Sequence, residues 1–201
     1  GHKVTGFDLV QASKDAAKAD GVNIAATALD AVKGAEVVVT MLPAGKHVLT
    51  VWKEVIPSVG KNTLMIDCST IDVESARFAH GHALEHNLPS IDAPVSGGVK
   101  RAREGTLAIL VGGEEAVMAD AKPVLAAMGG SILFIGPAGS GHAAKALNNF
   151  VSACGLMVTV EALHVAQRFG IAPEVMVDVL NASSGKSNTS ENKVKQFMLS
   201  G

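Results

Sequence analysis

The run GSGHAAKALNN, Gly139 to Asn149, sets one lysine and two asparagines just inside a helix that opens from a glycine-rich turn. Lys145 and Asn149 stand at i and i+4, so they share one helical face. Gly139 and Gly141 carry no side chain where the helix begins, which lets a ligand come close and leaves N–H groups that favour an anion. A lysine buried near a helix start has its ammonium form disfavoured by desolvation and by the helix dipole. Both effects bring it toward proton transfer near neutral pH. The competing role is a lysine whose stem lies on apolar surface while its charge reaches water. Asn148 and Asn149 favour the chemical role, because they interrupt the apolar stretch AKALNNFVSACGLMVTVEALHVA, where buried amides need partners. Lys145 and Asn149 are therefore the candidate catalytic pair.

Other runs offer places for a substrate. In IDAPVSGG a short buried strand is expected to end at Pro94 and release into a Ser-Gly-Gly turn. There Ser96 supplies a hydroxyl and Gly97 and Gly98 leave backbone N–H groups open to a small anion. An ordinary loop would read the same way. In IDCSTIDV another strand end meets small polar residues, and Ser69 and Thr70 can either cap the next helix or contact a ligand. VVVTMLPAG is an apolar strand that runs into a Met-Leu-Pro turn.

Something must hold these turns together, and the pattern around them says what. VTGFD, VNIAA, VVVTML, NTLMID, SIDAPV, TLAILV and SILFIG read as strands between amphipathic segments such as ESARFAHGHALEHN and EEAVMADAKPVLAAM. This alternation predicts an α/β fold, a Rossmann-like doubly wound and mostly parallel sheet. From Gly141 onward only helices are expected: a long one to about Phe169, then PEVMVDVLNA, then ENKVKQFML. Pro and Gly cluster near Pro137 to Gly141, so residues 1–140 form the expected dinucleotide-type domain and residues 141–201 the start of an all-helical one.

Composition narrows the class further. With 48% hydrophobic residues in 201 positions, the chain can bury one core and part of another. Seventeen basic and nineteen acidic side chains give a net charge of −2 without a one-sign patch, so nucleic acid is not expected as a partner. Cys68 and Cys154 form no CxxC and no paired framework, which fits a reducing compartment. Every apolar run of about eighteen residues is expected to carry a polar interruption, so no membrane span is foreseen. HGHALEH places His82 and His86 at a zinc-chelating spacing beside His80 and Glu85. It has no second ligand pair and reads as the solvent face of a crossover helix, so no metal is expected.

The turns, in this order, resemble the β-hydroxyacid dehydrogenases along nearly the whole chain, and within them the 3-hydroxyisobutyrate branch. DAPVSGG lies at Asp92 to Gly98, GTLAILVGG at Gly105 to Gly113, G-x-G-x-x-x-K-x-x-x-N at Gly139, Gly141, Lys145 and Asn149, and NASSGKS at Asn181 to Ser187. Val73 stands where the family usually has proline, and Asn188 where tryptophan is common. Asn148 stands where the phosphogluconate relatives carry histidine, which argues against a sugar phosphate. The chain opens at what looks like the family's second strand. The resemblance thus implies a fragment of a longer enzyme, without the first strand, glycine loop and first helix, roughly thirty residues of a βαβ unit, and without most of the helical domain.

The resemblance also implies a function: reversible oxidation of a small β-hydroxyacid to its semialdehyde, with tartronate semialdehyde reductase-type activity as the alternative. NAD is the implied cofactor ahead of NADP, and no metal is required. Ser96, Gly97 and Gly98 would hold the substrate carboxylate, Lys145 would exchange the hydroxyl proton, and Asn149 would orient the hydroxyl or Lys145. Leu42, Pro43 and Thr70 would contact the cofactor. Asp8, ending the first strand present, would accept hydrogen bonds from the adenosine ribose and repel a 2′-phosphate. Its competing role is a turn aspartate before a helix starting near Ser13. A homo-oligomer in the cytoplasm is implied, or in the mitochondrial matrix if a targeting peptide precedes Gly1. The other class to weigh is a non-catalytic remnant that acts as a binding or dimerisation piece.

Overall fold

The structure is a computed structural model that describes residues 1–199. Strands and helices alternate through the first two thirds of the chain: β1 Thr5–Gly6, α1 Gln11–Ala19, β2 Asn23–Ile24, α2 Ala28–Ala31, β3 Val37–Thr40, α3 Gly45–Val55, β4 Leu64–Asp67, α4 Val73–Glu85, β5 Ser90–Asp92, β6 Val95–Ser96, α5 Gly98–Arg103, β7 Leu107–Gly113, α6 Glu115–Met128 and β8 Gly129–Gly136. Helices alone follow: α7 Ser140–Arg168, α8 Pro173–Ala182 and a wide π-type helix Thr189–Met198. The chain divides into two compact units, one ending at Lys145 and one beginning at Ala146, so the division falls inside α7.

In the first unit β4 shows why the sheet needs helices on both faces. All four of its residues are buried. Successive side chains of a strand point to opposite faces, and accordingly Met65 packs with Val48, Trp52 and Val55 of α3 and Ala79 and Ala83 of α4. Leu64 and Ile66 pack on the other face with Ile91, Ile109, Val111 and the α6 residues Ala121 and Leu125. The doubly wound Rossmann-like architecture expected from the alternation is present.

β3, β4 and β5 are parallel neighbours, and their register lines up Thr40, Asp67 and Asp92 at the carboxyl ends. Three polar side chains on one face of a buried sheet edge are thereby set in a row. β7 runs antiparallel to β5 and β6 and parallel to β8. The strand expected to end at Pro94 ends at Asp92, and β6 takes up the same register along β7, with Leu110 N–H donating to the Pro94 carbonyl at 3.1 Å, so pairing with β7 extends past the proline to Ser96. Proline is tolerated there because the edge carbonyl still pairs while no N–H is required.

β1 and β2 pair only with each other among the described residues, and α1 buries no residue. α1 starts at Gln11, two residues before the expected start near Ser13. In the second unit Leu163 of α7, Val177 of α8 and Val194 of the π-type helix form the buried centre. α7 carries the expected polar interruptions, Ser152, Thr159 and Glu161 among them, and by length and composition it is still apolar enough to cross a bilayer. Helices apolar all round also serve as interior helices of large proteins.

Candidate active site

The carboxyl ends of the parallel strands carry the site, and its frame is a buried polar network. Asp67 Oδ1 accepts from the hydroxyls of Ser69 at 2.6 Å and Thr40 at 2.7 Å. Thr40 accepts in turn from Trp52 Nε1–H at 3.1 Å, and Ser69 Oγ accepts from Leu42 N–H at 2.8 Å. The second link pins the Met-Leu-Pro turn after β3 to the end of β4. Ser69 is therefore not a helix cap, and neither is Thr70: α4 is capped by Asp72, whose carboxylate accepts from Ser75 N–H at 2.7 Å. Ser69 is fully buried, and a hydroxyl in that position is spent inside the protein.

The start of α7 sits on the same strand ends. Asp92 Oδ1 accepts from Gly139 N–H at 2.7 Å and Oδ2 from His142 N–H at 3.1 Å. The anion that the free N–H groups favour is thus supplied by the protein's own carboxylate, which corrects the expectation that these glycines open the helix start to a ligand. Gly141 has a packing reason instead: a Cβ there would lie 2.3 Å from the Leu110 carbonyl oxygen and 2.7 Å from Asp92 Oδ2. His142, 1% exposed, holds its Nε2 3.3 Å from Asp67 Oδ2, an ion-pair distance outside hydrogen-bond geometry.

Lys145 follows one turn later and is 9% exposed. Desolvation by burial holds its ammonium below the ordinary lysine value. Among the described residues it has no ion-pair or hydrogen-bond partner, so none of them offsets that burial. Asn148 and Asn149 depart from expectation: both are exposed and touch each other at 3.5 Å, because the surrounding stretch, including Leu147 and Phe150, is itself exposed. Asn149 lies past the division within α7, on the same continuous helix as Lys145.

Ser96 is half-buried at the end of β6, while Gly97 and Gly98 adopt φ of 137° and 67°, values that side chains rarely take. Pro94, beside Ser96 on the same edge, would meet a Cβ on Gly141 at 3.1 Å, so the Ser-Gly-Gly turn and the start of α7 flank one strand end. Leu42 is half-buried and Pro43 and Thr70 are exposed, on the rim formed by the ends of β3 and β4. In open α/β sheets ligands bind outside this rim, and α3, which follows Pro43 directly, has no side-chain cap over its first N–H groups. These residues fit a dinucleotide. β1 ends at Gly6, so Asp8 lies two residues beyond the strand it was expected to end; it is exposed there, and its Oδ1 accepts from Val10 N–H at 2.7 Å. That turn bond leaves a ribose role open.

The buried thiol of Cys68 is pushed up to about 12, first by desolvation and then by the neighbouring Asp67 charge. His82, Glu85 and His86 bring one ligand atom each within 4.8 Å of one another at the carboxyl end of α4, with Glu85 and His86 exposed. Asp67, Asp92 and His142 were not singled out from the sequence. The available signal was a carboxylate closing each of two buried strand runs, LMID and SID.

Comparison with known proteins agrees with the fold. Residues 1–136 match the family model described as the NAD binding domain of 6-phosphogluconate dehydrogenase. Residues 139–201 match one described as NAD-binding of NADP-dependent 3-hydroxyisobutyrate dehydrogenase. A probable 3-hydroxyisobutyrate dehydrogenase of Mycobacterium tuberculosis is 42% identical over 185 residues, 92% of this chain and 63% of that protein. The 2-(hydroxymethyl)glutarate dehydrogenase of Eubacterium barkeri is 34% identical, over 100% of this chain and 68% of that protein. A solved structure of Mycobacterium tuberculosis 3-hydroxyisobutyrate dehydrogenase with L-serine superposes with a TM-score of 0.91 at 40% identity, over 96% of this chain and 66% of the other. The chain spans 63% of the length of the mycobacterial relative. With two thirds of its residues matched by the first family model and a relative 34% identical along the chain's whole length, the chain belongs to the β-hydroxyacid dehydrogenase family.

Proposed function

We propose that this chain carries the reacting lysine, the substrate turn and much of the dinucleotide rim of an NAD-dependent oxidoreductase that interconverts a small β-hydroxyacid and its semialdehyde. The observation that carries this reading is Lys145: buried to 9% exposure, its ammonium disfavoured by desolvation, and without a counter-charge among the described residues. A lysine kept for stability would be paired or solvated.

The compounds named with the relatives share one unit. 3-Hydroxyisobutyrate, 2-(hydroxymethyl)glutarate and the L-serine present in the solved structure each carry a primary alcohol on the carbon next to the one bearing a carboxylate. The Ser96 hydroxyl and the N–H groups of Gly97 and Gly98 hold the carboxylate. Lys145 Nζ takes the proton from the alcohol as it is oxidised and returns it in the reverse direction, and Asn149 steadies the hydroxyl or the lysine. NAD, when bound, supplies the hydride acceptor, and the chain contributes positioning and one proton transfer. Leu42 and Pro43 contact the cofactor, Thr70 contacts it near the nicotinamide end, and Asp8 holds its ribose. Residues 1–140 form the dinucleotide domain and residues 141–201 begin the helical one, in a cytoplasmic homo-oligomer.

The test is a steady-state panel of C3 and C4 hydroxyacids and semialdehydes with NAD and NADP, on the full-length enzyme and on Asp8→Ser paired with a new arginine beside it. NAD is preferred by the unaltered enzyme and NADP by the variant. Better turnover of NADP by the unaltered enzyme would remove Asp8 from the ribose. No turnover of any compound bearing the shared alcohol–carboxylate unit would overturn the function.

A further inference from the structure

We propose that Asp67, Asp92 and His142 are positioning residues that together seat the first turn of α7 and so fix where Lys145 presents its amine. This rests on the proton-transfer reading of Lys145, and it adds a requirement that the reading does not contain. The two carboxylates are register partners on adjacent strands, 3% and 6% exposed. Burying two carboxylates side by side is costly even with three of the four oxygens accepting hydrogen bonds and Asp67 Oδ2 facing the His142 ring without one, and apolar side chains would hold a helix there at lower cost. What carboxylates add is direction.

The contacts divide the task. Asp92 accepts from the backbone at both Gly139 and His142, spanning the first turn and setting its height above the sheet edge. Asp67 faces the His142 ring at 3.3 Å and sets the rotation of that turn. Gly141 lets the helix approach until only a hydrogen fits between its backbone and the Leu110 carbonyl. His142 and Lys145 are i and i+3, neighbours on one face, so a rotation at His142 is carried directly to Lys145. Asp67 is itself held on its other oxygen by Thr40 and Ser69, and Ser69 also anchors the turn carrying Leu42. One buried carboxylate therefore ties the cofactor rim to the lysine helix. A displacement of about 1 Å at a reacting group can cost about a hundredfold in rate.

A seat that serves only stability would give the same contacts, so the test must read Lys145 itself. In the full-length enzyme His142→Gln and Asp67→Asn are each made alone and in a Lys145→Ala background. The expected result is a fall in kcat of about 10- to 100-fold with KM for both substrates within about 3-fold, and a change of less than about twofold when the same substitution is added to Lys145→Ala. An equal loss in both backgrounds would overturn the proposal. Independently of activity, competitive acetylation read by mass spectrometry compares Lys145 with exposed Lys33. Lys145 labelling rises severalfold in both variants at temperatures where each is folded by circular dichroism, and unchanged labelling in His142→Gln overturns the seat. Should Lys145→Ala keep full activity, the proton-transfer reading fails on its own while the labelling result still decides the seat. If Asp67→Asn does not fold, His142→Gln decides both.

Discussion

At the carboxyl ends of β3, β4 and β5 the polar side chains Thr40, Asp67 and Asp92 are buried, whereas along α7 past Ala146 apolar side chains stand in the open, Leu147, Phe150, Val151, Met157 and Val158 among them. Ordinary expectation reverses both. The strand ends can bury carboxylates because they receive backbone N–H groups from an incoming helix and hydroxyls from neighbouring strands. α7 leaves apolar residues exposed because the packing partners within its own unit reach only part of its surface, around Leu163 and Ala166. Burial follows the partners available at each place, and polarity alone does not decide it.

The largest test of the contrast is at its meeting point, Lys145. Lys145→Ala lowers kcat of the complete enzyme by about 10²- to 10⁴-fold with cofactor affinity nearly unchanged, and Lys145→Arg restores little because guanidinium does not deprotonate in this range. Steady-state kinetics decide it: a variant retaining more than about a tenth of kcat would remove Lys145 from the chemistry.

Next comes a pair of truncations in the 201-residue chain. Ile109→Ala, in the centre of the sheet, costs about 2–5 kcal/mol in urea unfolding, while Leu147→Ala, 66% exposed, stays within about 0.5 kcal/mol. Similar costs at both sites would mean that the exposed face of α7 is packed in solution.

Glycines on α7 give a sharper pair. Gly141→Ala places its methyl against the Leu110 carbonyl and Asp92 and destabilises by about 1–3 kcal/mol or more. Gly155→Ala meets nothing within 4 Å and stabilises by about 0.5–1 kcal/mol from helix propensity alone. A neutral Gly141→Ala in thermal unfolding would contradict the close approach of helix and sheet.

The smallest effect is on pH dependence. Burial holds Lys145 below its unfolded value of 10.5, so the folded chain binds fewer protons there than the unfolded one and stability rises with pH across that window. Lys145→Met therefore gains stability over the unaltered chain at neutral pH, and the gain shrinks as pH approaches 10.5. A gain that is constant with pH would assign it to packing.

Much of the frame was legible before the fold was known. The hydrophobic period switches from strand to helix, and α8 falls on PEVMVDVLNA, because those signals come from residues near in sequence. The turns holding Gly97, Thr70 and Leu42 were legible for the same reason. Asp67 and Asp92 were not, since each reads as the last residue of an apolar strand, and only the parallel register sets them side by side. Gly139 and Gly141 looked open because the sequence shows a missing side chain without showing what occupies the space.

The sequence by itself determined the alternation of elements and the family, both properties of local pattern. The tertiary structure decided which groups are buried and what they touch. It gave the helix-start N–H groups to Asp92, turned His142 toward Asp67, left Asn149 in the open and desolvated Lys145. Those outcomes depend on strand register and helix seating between residues tens of positions apart, and no local pattern encodes such distances.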